Sequence, residues 1–186
     1  MPESPRAFQV RISRLLGRHF SRDTIVPEWS SFRRGEESYA PRLDIAVGPF
    51  AMGQLLLGDE YDRLFRRNKH LCARLVAAHR ENAGGGEHTD AVNVRSGNRN
   101  ARCFLAIEVE NQVSRKHLLG GAVNAAALGR IGVVVGWTPD KLNALLKLRS
   151  YFAFLSAVGK PSFSASNLLI LAPEQLESAL LGRATA

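Results

Sequence analysis

The chain has 186 residues, 45% of them hydrophobic and 23% charged, which is the composition of one ordinary globular domain with a single core. Wholesale disorder is excluded, and no run approaches the roughly 18 apolar residues of a membrane helix, so no membrane partner is expected. With 25 Lys and Arg against 17 Asp and Glu, the formal net charge is +8, which favours anionic partners such as nucleic acid.

Ser4-Pro5 is a helix start, with Ser as cap and Pro at the first helical position. Phe8, Ile12, Leu15 and Leu16 then recur at helical spacing to about Phe20. Arg6, Arg11 and Arg14 interrupt this stretch, so it lacks the apolar core of a secretory signal, and a reducing cytoplasm is the expected location. Residues 24 to 30 predict a short strand that Pro27 confines to an edge or an irregular position. Pro41-Arg-Leu-Asp44 opens a second strand over 43 to 47, in which Leu43, Ile45 and Val47 share one face and Asp44 takes the other with Ala46.

From Asp59 to Ala78, Tyr61, Leu64, Phe65, Leu71, Cys72 and Leu75 make one helical stripe. Opposite it stand Arg63, Arg66, Arg67 and Arg74, open to two readings: a solvated face, or a grip on phosphates that positions a nucleic acid without reading its sequence. Residues 81 to 100, with Gly84-Gly-Gly86 and Gly97, read as a long connection, and Glu87, His88 and Asp90 as ordinary polar loop residues. Residues 48 to 101 thus form a basic helical and loop insertion within a single domain spanning 1 to 186. Cys72 and Cys103 fall in apolar elements without disulfide or zinc spacing, so they are expected to be small buried hydrophobes.

The run Phe104-Leu-Ala-Ile-Glu-Val-Glu110 predicts a strand over 103 to 110 whose two carboxylates, Glu108 and Glu110, project from one face together with Phe104. Carboxylates beside a sheet core are costly unless paired, hydrated or bound to a cation, and hard divalent ions prefer such oxygen ligands. A solvated strand face is the competing explanation. Ser114 opens a helix to Leu128 whose Gly120, Gly121, Ala122, Ala125, Ala126 and Ala127 suit close packing on a sheet. It is expected to cross over to a buried parallel strand over 131 to 135. Asn124 in this helix is open to two readings, a backbone cap or a residue facing the acids. Thr138-Pro139-Asp140 starts a further helix running toward Gly159, followed by a strand over 167 to 171 and a closing helix from Pro173 to Leu181.

Pro41-x-x-Asp44 on the second strand and Glu108-x-Glu110 on the third, before a crossover helix, give the chain a pattern that resembles the PD-(D/E)XK nuclease superfamily over residues 5 to 135. The resemblance implies an α/β fold of restriction-endonuclease-like type: a central mixed sheet flanked by helices, an αβββαβ core with a C-terminal α-β-α extension. It also implies a metal-dependent nuclease hydrolysing phosphodiesters in DNA or RNA, with Mg²⁺ or Mn²⁺ held by Asp44, Glu108 and the Val109 carbonyl. Where the family usually carries lysine this chain has Glu110, a residue that some restriction enzymes share. Glu110 would then bind a second metal or orient the attacking water, and Lys116 would bring its ammonium back toward the site. Glu37 is a further candidate acid, and His117 is open to two readings, a donor to a phosphate near the helix start or only a polar flank. A homodimer would suit double-strand cleavage. The alternative is a catalytically inactive module that keeps the fold and binds nucleic acid or a protein partner.

Overall fold

A computed structural model describes residues 3–31, 41–53, 55–83, 90–111, 114–160 and 165–182. Glu37, Gly84 to Gly86, Glu87 and His88 lie outside them. The sheet contains β1 (Ile25–Ser30), β2 (Arg42–Val47), β3 (Cys103–Glu110), β4 (Gly129–Gly136) and β5 (Leu168–Leu171), in that spatial order. The first three strands pair antiparallel, while β3, β4 and β5 run parallel. The helices are α1 (Pro5–Leu16), α2 (Gly58–Arg67), α3 (Lys69–Ala83), α4 (Ala91–Ser96), α5 (Arg115–Leu128), α6 (Pro139–Ala157) and α7 (Pro173–Leu181). The molecule is therefore a mixed α/β protein with a five-stranded mixed sheet flanked by helices. No helix among the described residues is long and apolar enough to cross a membrane.

Two apolar layers cover the sheet, and Leu43 does not share the face of Ile45 and Val47 as alternation predicts but joins Ala46 in the opposite layer. Ile45, Val47, Leu105, Ile107, Ile131 and Val133 pack against α1, α2, α3 and α7, with Phe8, Ile12, Tyr61, Leu75 and Leu176 as buried anchors. Leu43, Ala46, Ala106, Val134 and Ile170 face α5 and α6, through Ala122, Ala125, Ala126, Leu145 and Phe152. The small residues expected to thin α5 do so on this face. At Gly132 of β4 a β-carbon would stand 2.6 Å from the Ala125 carbonyl oxygen, a backbone approach that only glycine permits.

Helix ends follow their sequence signals. Ser4, Ser114 and Thr138 accept backbone N–H groups as caps at 3.2, 3.3 and 3.4 Å. Asp90 does the same for α4, its carboxylate accepting from the Asn93 N–H at 2.6 Å, so the 81 to 100 connection contains a short helix. The helix expected over 59 to 78 is two helices that break at Asn68. Both the backbone N–H and the side-chain amide of Asn68 donate to the Leu64 carbonyl, at 2.9 and 3.1 Å, which closes α2 without glycine or proline. Phe104 does not share the acids' face: it packs with Phe20 and Tyr61 in the layer under α1 and α2. Both cysteines are buried and unpaired.

Candidate active site

The β2–β3 ladder runs from Val47↔Leu105 to Ile45↔Ile107 and then stops. Past that point the Asp44 side chain stands where strand backbone would continue, its Oδ2 accepting the Val109 N–H at 2.7 Å. This bond satisfies a backbone donor that lost its ladder partner and fixes the half-buried carboxylate at the splay between two strands. The β1–β2 ladder leaves the same level unpaired. It passes from Pro27↔Ile45 to Trp29↔Leu43, and the skipped residue, Glu28, adopts φ 51°. Gln9 of α1 lies beside Asp44 and favours its charged form.

Glu108 and Glu110 turn the other way, toward α5. Asn124 stands beside Glu108 and favours its charged form, so it faces the acids rather than capping a neighbouring backbone group. Glu110 lies over Gly121, where a β-carbon would overlap its carboxylate. Both glutamates are buried, at 7% and 8% exposure, unlike a solvated strand face.

Burial, followed by the charges of Asp44 and Glu110, pushes the Glu108 carboxyl up to about 9, against smaller opposing help from the Asp44 N–H and Asn124. Burial and then Asp44 push Glu110 up to about 7, with Lys141 opposing. Asp44 is itself raised, mainly by burial, against the lowering effect of the Val109 N–H. The three acids expected together therefore form one electrostatic group, and a cation between them would relieve a mutual repulsion that Lys141 offsets at Glu110.

They are not already drawn into one coordination sphere. Among the described residues no group of three His, Cys, Asp or Glu side chains is arranged to hold a metal ion. The Val109 N–H holds Asp44 at the splay while the Gly121 notch receives Glu110 on the α5 side, which keeps the carboxylates apart. Asp44 and Glu108 nevertheless offer the hard anionic oxygens that Mg²⁺ requires, and water completes such sites readily.

The expected cations fall elsewhere. Lys116 is exposed on the first turn of α5, and no interaction ties its ammonium to the acids. Lys141 is the cation that Glu110 feels, because β3 and β4 run parallel and the first turn of α6 follows β4 directly at the Glu110↔Gly136 level. The Trp137 N–H donates to the Glu110 carbonyl at 3.1 Å and seals that junction. Thr138-Pro139-Asp140 marked this helix start in the sequence, but only the parallel pairing brings Lys141 to the glutamate. Glu28 and Gln9 carried no such signal.

Arg63, Arg66 and Arg67 are exposed on α2. The Tyr61 hydroxyl donates to the carbonyls of Pro49 and Ala101 at 3.2 and 3.4 Å, which anchors α2 beside the start of β3, roughly 20 Å along the strand from Glu108. The basic helix thus does not flank the acids. Arg74 is half-buried and its Nε donates to the Ala179 carbonyl at 2.7 Å, tying α3 to the end of α7.

Comparison with known proteins found no significant match to a family model, a curated protein or a solved structure, and the geometry of this site therefore carries the functional reading alone.

Proposed function

We propose that the protein is a divalent-metal-dependent nuclease of restriction-endonuclease-like, PD-(D/E)XK topology, hydrolysing phosphodiester bonds in DNA or RNA. The observation that carries this reading is the insertion of Asp44 at the β2–β3 splay, bonded to Val109 between Glu108 and Glu110. The order α1-β1-β2-β3-α5-β4, with an antiparallel meander followed by a parallel crossover, supports it as the arrangement the superfamily resemblance implies.

In this reading Asp44 and Glu108 hold Mg²⁺ or Mn²⁺, with the Val109 carbonyl as a third ligand. The ion, when bound, polarises a phosphoryl oxygen and lowers the pKa of coordinated water. The chain's own residues supply the rest. Glu110, raised to about 7, is matched to accepting a proton from the attacking water near neutral pH. Lys141 favours the charged form of Glu110 and takes the electrostatic place proposed for Lys116. Asn124 steadies the Glu108 carboxylate.

Cleavage of plasmid DNA and of a labelled RNA, with Mg²⁺ or Mn²⁺, tests the reading. Asp44→Asn and Glu108→Gln should each abolish cleavage with the fold intact, and cleavage at the original rate by both variants would overturn it. The Glu110 notch over Gly121 and the unconverged acids favour a second reading, an inactive module that binds nucleic acid. It predicts salt-sensitive binding with no cleavage by the unaltered chain.

A further inference from the structure

We infer that the groove between α1 and β1 is the track along which a nucleic-acid backbone lies on its way to Asp44. The inference rests on the nuclease reading, since it names the surface that would deliver the substrate. The groove encloses about 840 Å³ and is rimmed by Arg6, Arg14, Arg22 and Arg42, with Glu28 the single acid among its lining residues. All four arginines are exposed. Arg42 pairs with Glu28 at 3.3 Å, whereas Arg6, Arg14 and Arg22 form no ion pair with any described carboxylate. Three guanidinium groups on one rim therefore repel one another unless an anion joins them.

Position distinguishes this surface from the arginines of α2. Gln9 lines the groove and neighbours Asp44, while Glu28 lines it and stands opposite Asp44 in the strand register. A polyanion lying in the groove thus ends beside Asp44 at the β2–β3 splay, which the Glu108 and Glu110 side chains approach from the α5 face. Arg6 and Arg14 are two turns apart on α1, about 12 Å, which is the axial rise of three to four nucleotides of duplex. Val10 and Ile25 give the groove apolar walls against which sugars can lie. An acidic peptide would match the charge but carries no phosphodiester to present at Asp44.

The test is fluorescence anisotropy of a labelled duplex with the full chain in EDTA over a range of salt, alongside the cleavage assay. The Arg6→Ala, Arg14→Ala, Arg22→Ala triple variant should lose at least tenfold in affinity, and its slope of log affinity against log salt should fall by about 3. The corresponding triple lysine variant should recover most of that slope, and circular dichroism should be unchanged in both. Unchanged affinity in the alanine variant, loss only on substituting Arg63, Arg66 and Arg67, or equal competition by polyglutamate would each overturn the inference. If the unaltered chain cleaves and the alanine variant binds and cleaves equally well, the groove fails and the nuclease stands. If the alanine variant loses binding but the unaltered chain never cleaves, the groove stands and the nuclease fails.

Discussion

Gly121 makes room for Glu110: the glutamate carboxylate occupies the space that a β-carbon on α5 would fill. A glycine in mid-helix costs about 1 kcal/mol relative to alanine, so its presence here trades helix stability for a buried acid beside Asp44. Gly121→Ala should therefore leave thermal stability unchanged or slightly raised, because the obstructing atoms belong to the end of a flexible side chain. The same change should displace Glu110 and lower the cleavage rate at least tenfold. Melting curves and initial rates measured side by side check this, and full activity in the variant would remove Glu110 from the mechanism.

Glu108 links pH to stability in the metal-free protein. Its folded-state value of about 9 exceeds the ordinary 4.5, so between these values the folded chain holds a proton that the unfolded chain has released. Stability contributed at low pH is accordingly lost as pH rises through that window. Glu108→Gln should match the unaltered protein near pH 4.5, exceed it by a few kcal/mol at pH 8 in EDTA, and show a flatter profile in urea titrations. Identical profiles would show that Glu108 ionises freely.

At the other end of the sheet, Asp62 joins two arginines. Its carboxylate accepts from Arg95 at 2.7 Å and from Arg130 at 2.7 Å, and Arg130 is only 6% exposed. Arg95 first, then Arg130, hold Asp62 down at about 2. For a depressed carboxyl the stabilisation is complete above the unfolded value of 3.8 and is lost as pH falls toward 2. Asp62→Asn should destabilise by about 3 kcal/mol at neutral pH, because it leaves the buried Arg130 guanidinium without its charged partner, and should flatten the acid limb of the profile. Arg95→Ala, at the solvent-facing partner, should cost clearly less than Asp62→Asn. Equal costs for the two substitutions in urea denaturation would contradict this ranking.

Elements with strong local signals were legible in the sequence. The run from Cys103 to Glu110, the capped helix after Ser114 and the closing helix from Pro173 to Leu181 stand where alternation and caps placed them. Pro27 correctly confined β1 to an edge, since β1 ends the strand order. The break at Asn68 was hidden because an amide side chain, rather than glycine or proline, closes α2. Phe104 leaves the acids' face because strict alternation fails where the adjacent Phe104 and Leu105 join the same apolar layer. Asp44 and the two glutamates were readable from motif spacing, whereas Gln9, Glu28 and Lys141 reach the site only through tertiary pairing. The arginines of α2 show the reverse, because a basic stripe visible in the sequence is carried to the far end of the sheet.

Calorimetric titration of Mn²⁺ into the protein at pH 7.5, repeated in buffers of different ionisation enthalpy, bears on the acidic group as a metal centre. One ion should bind with release of about one proton, because Glu108 is held protonated until a cation replaces its proton, and Asp44→Asn should abolish the binding heat. Absence of binding at millimolar Mn²⁺, or equal affinity in Asp44→Asn, would contradict a metal site built on Asp44 and Glu108.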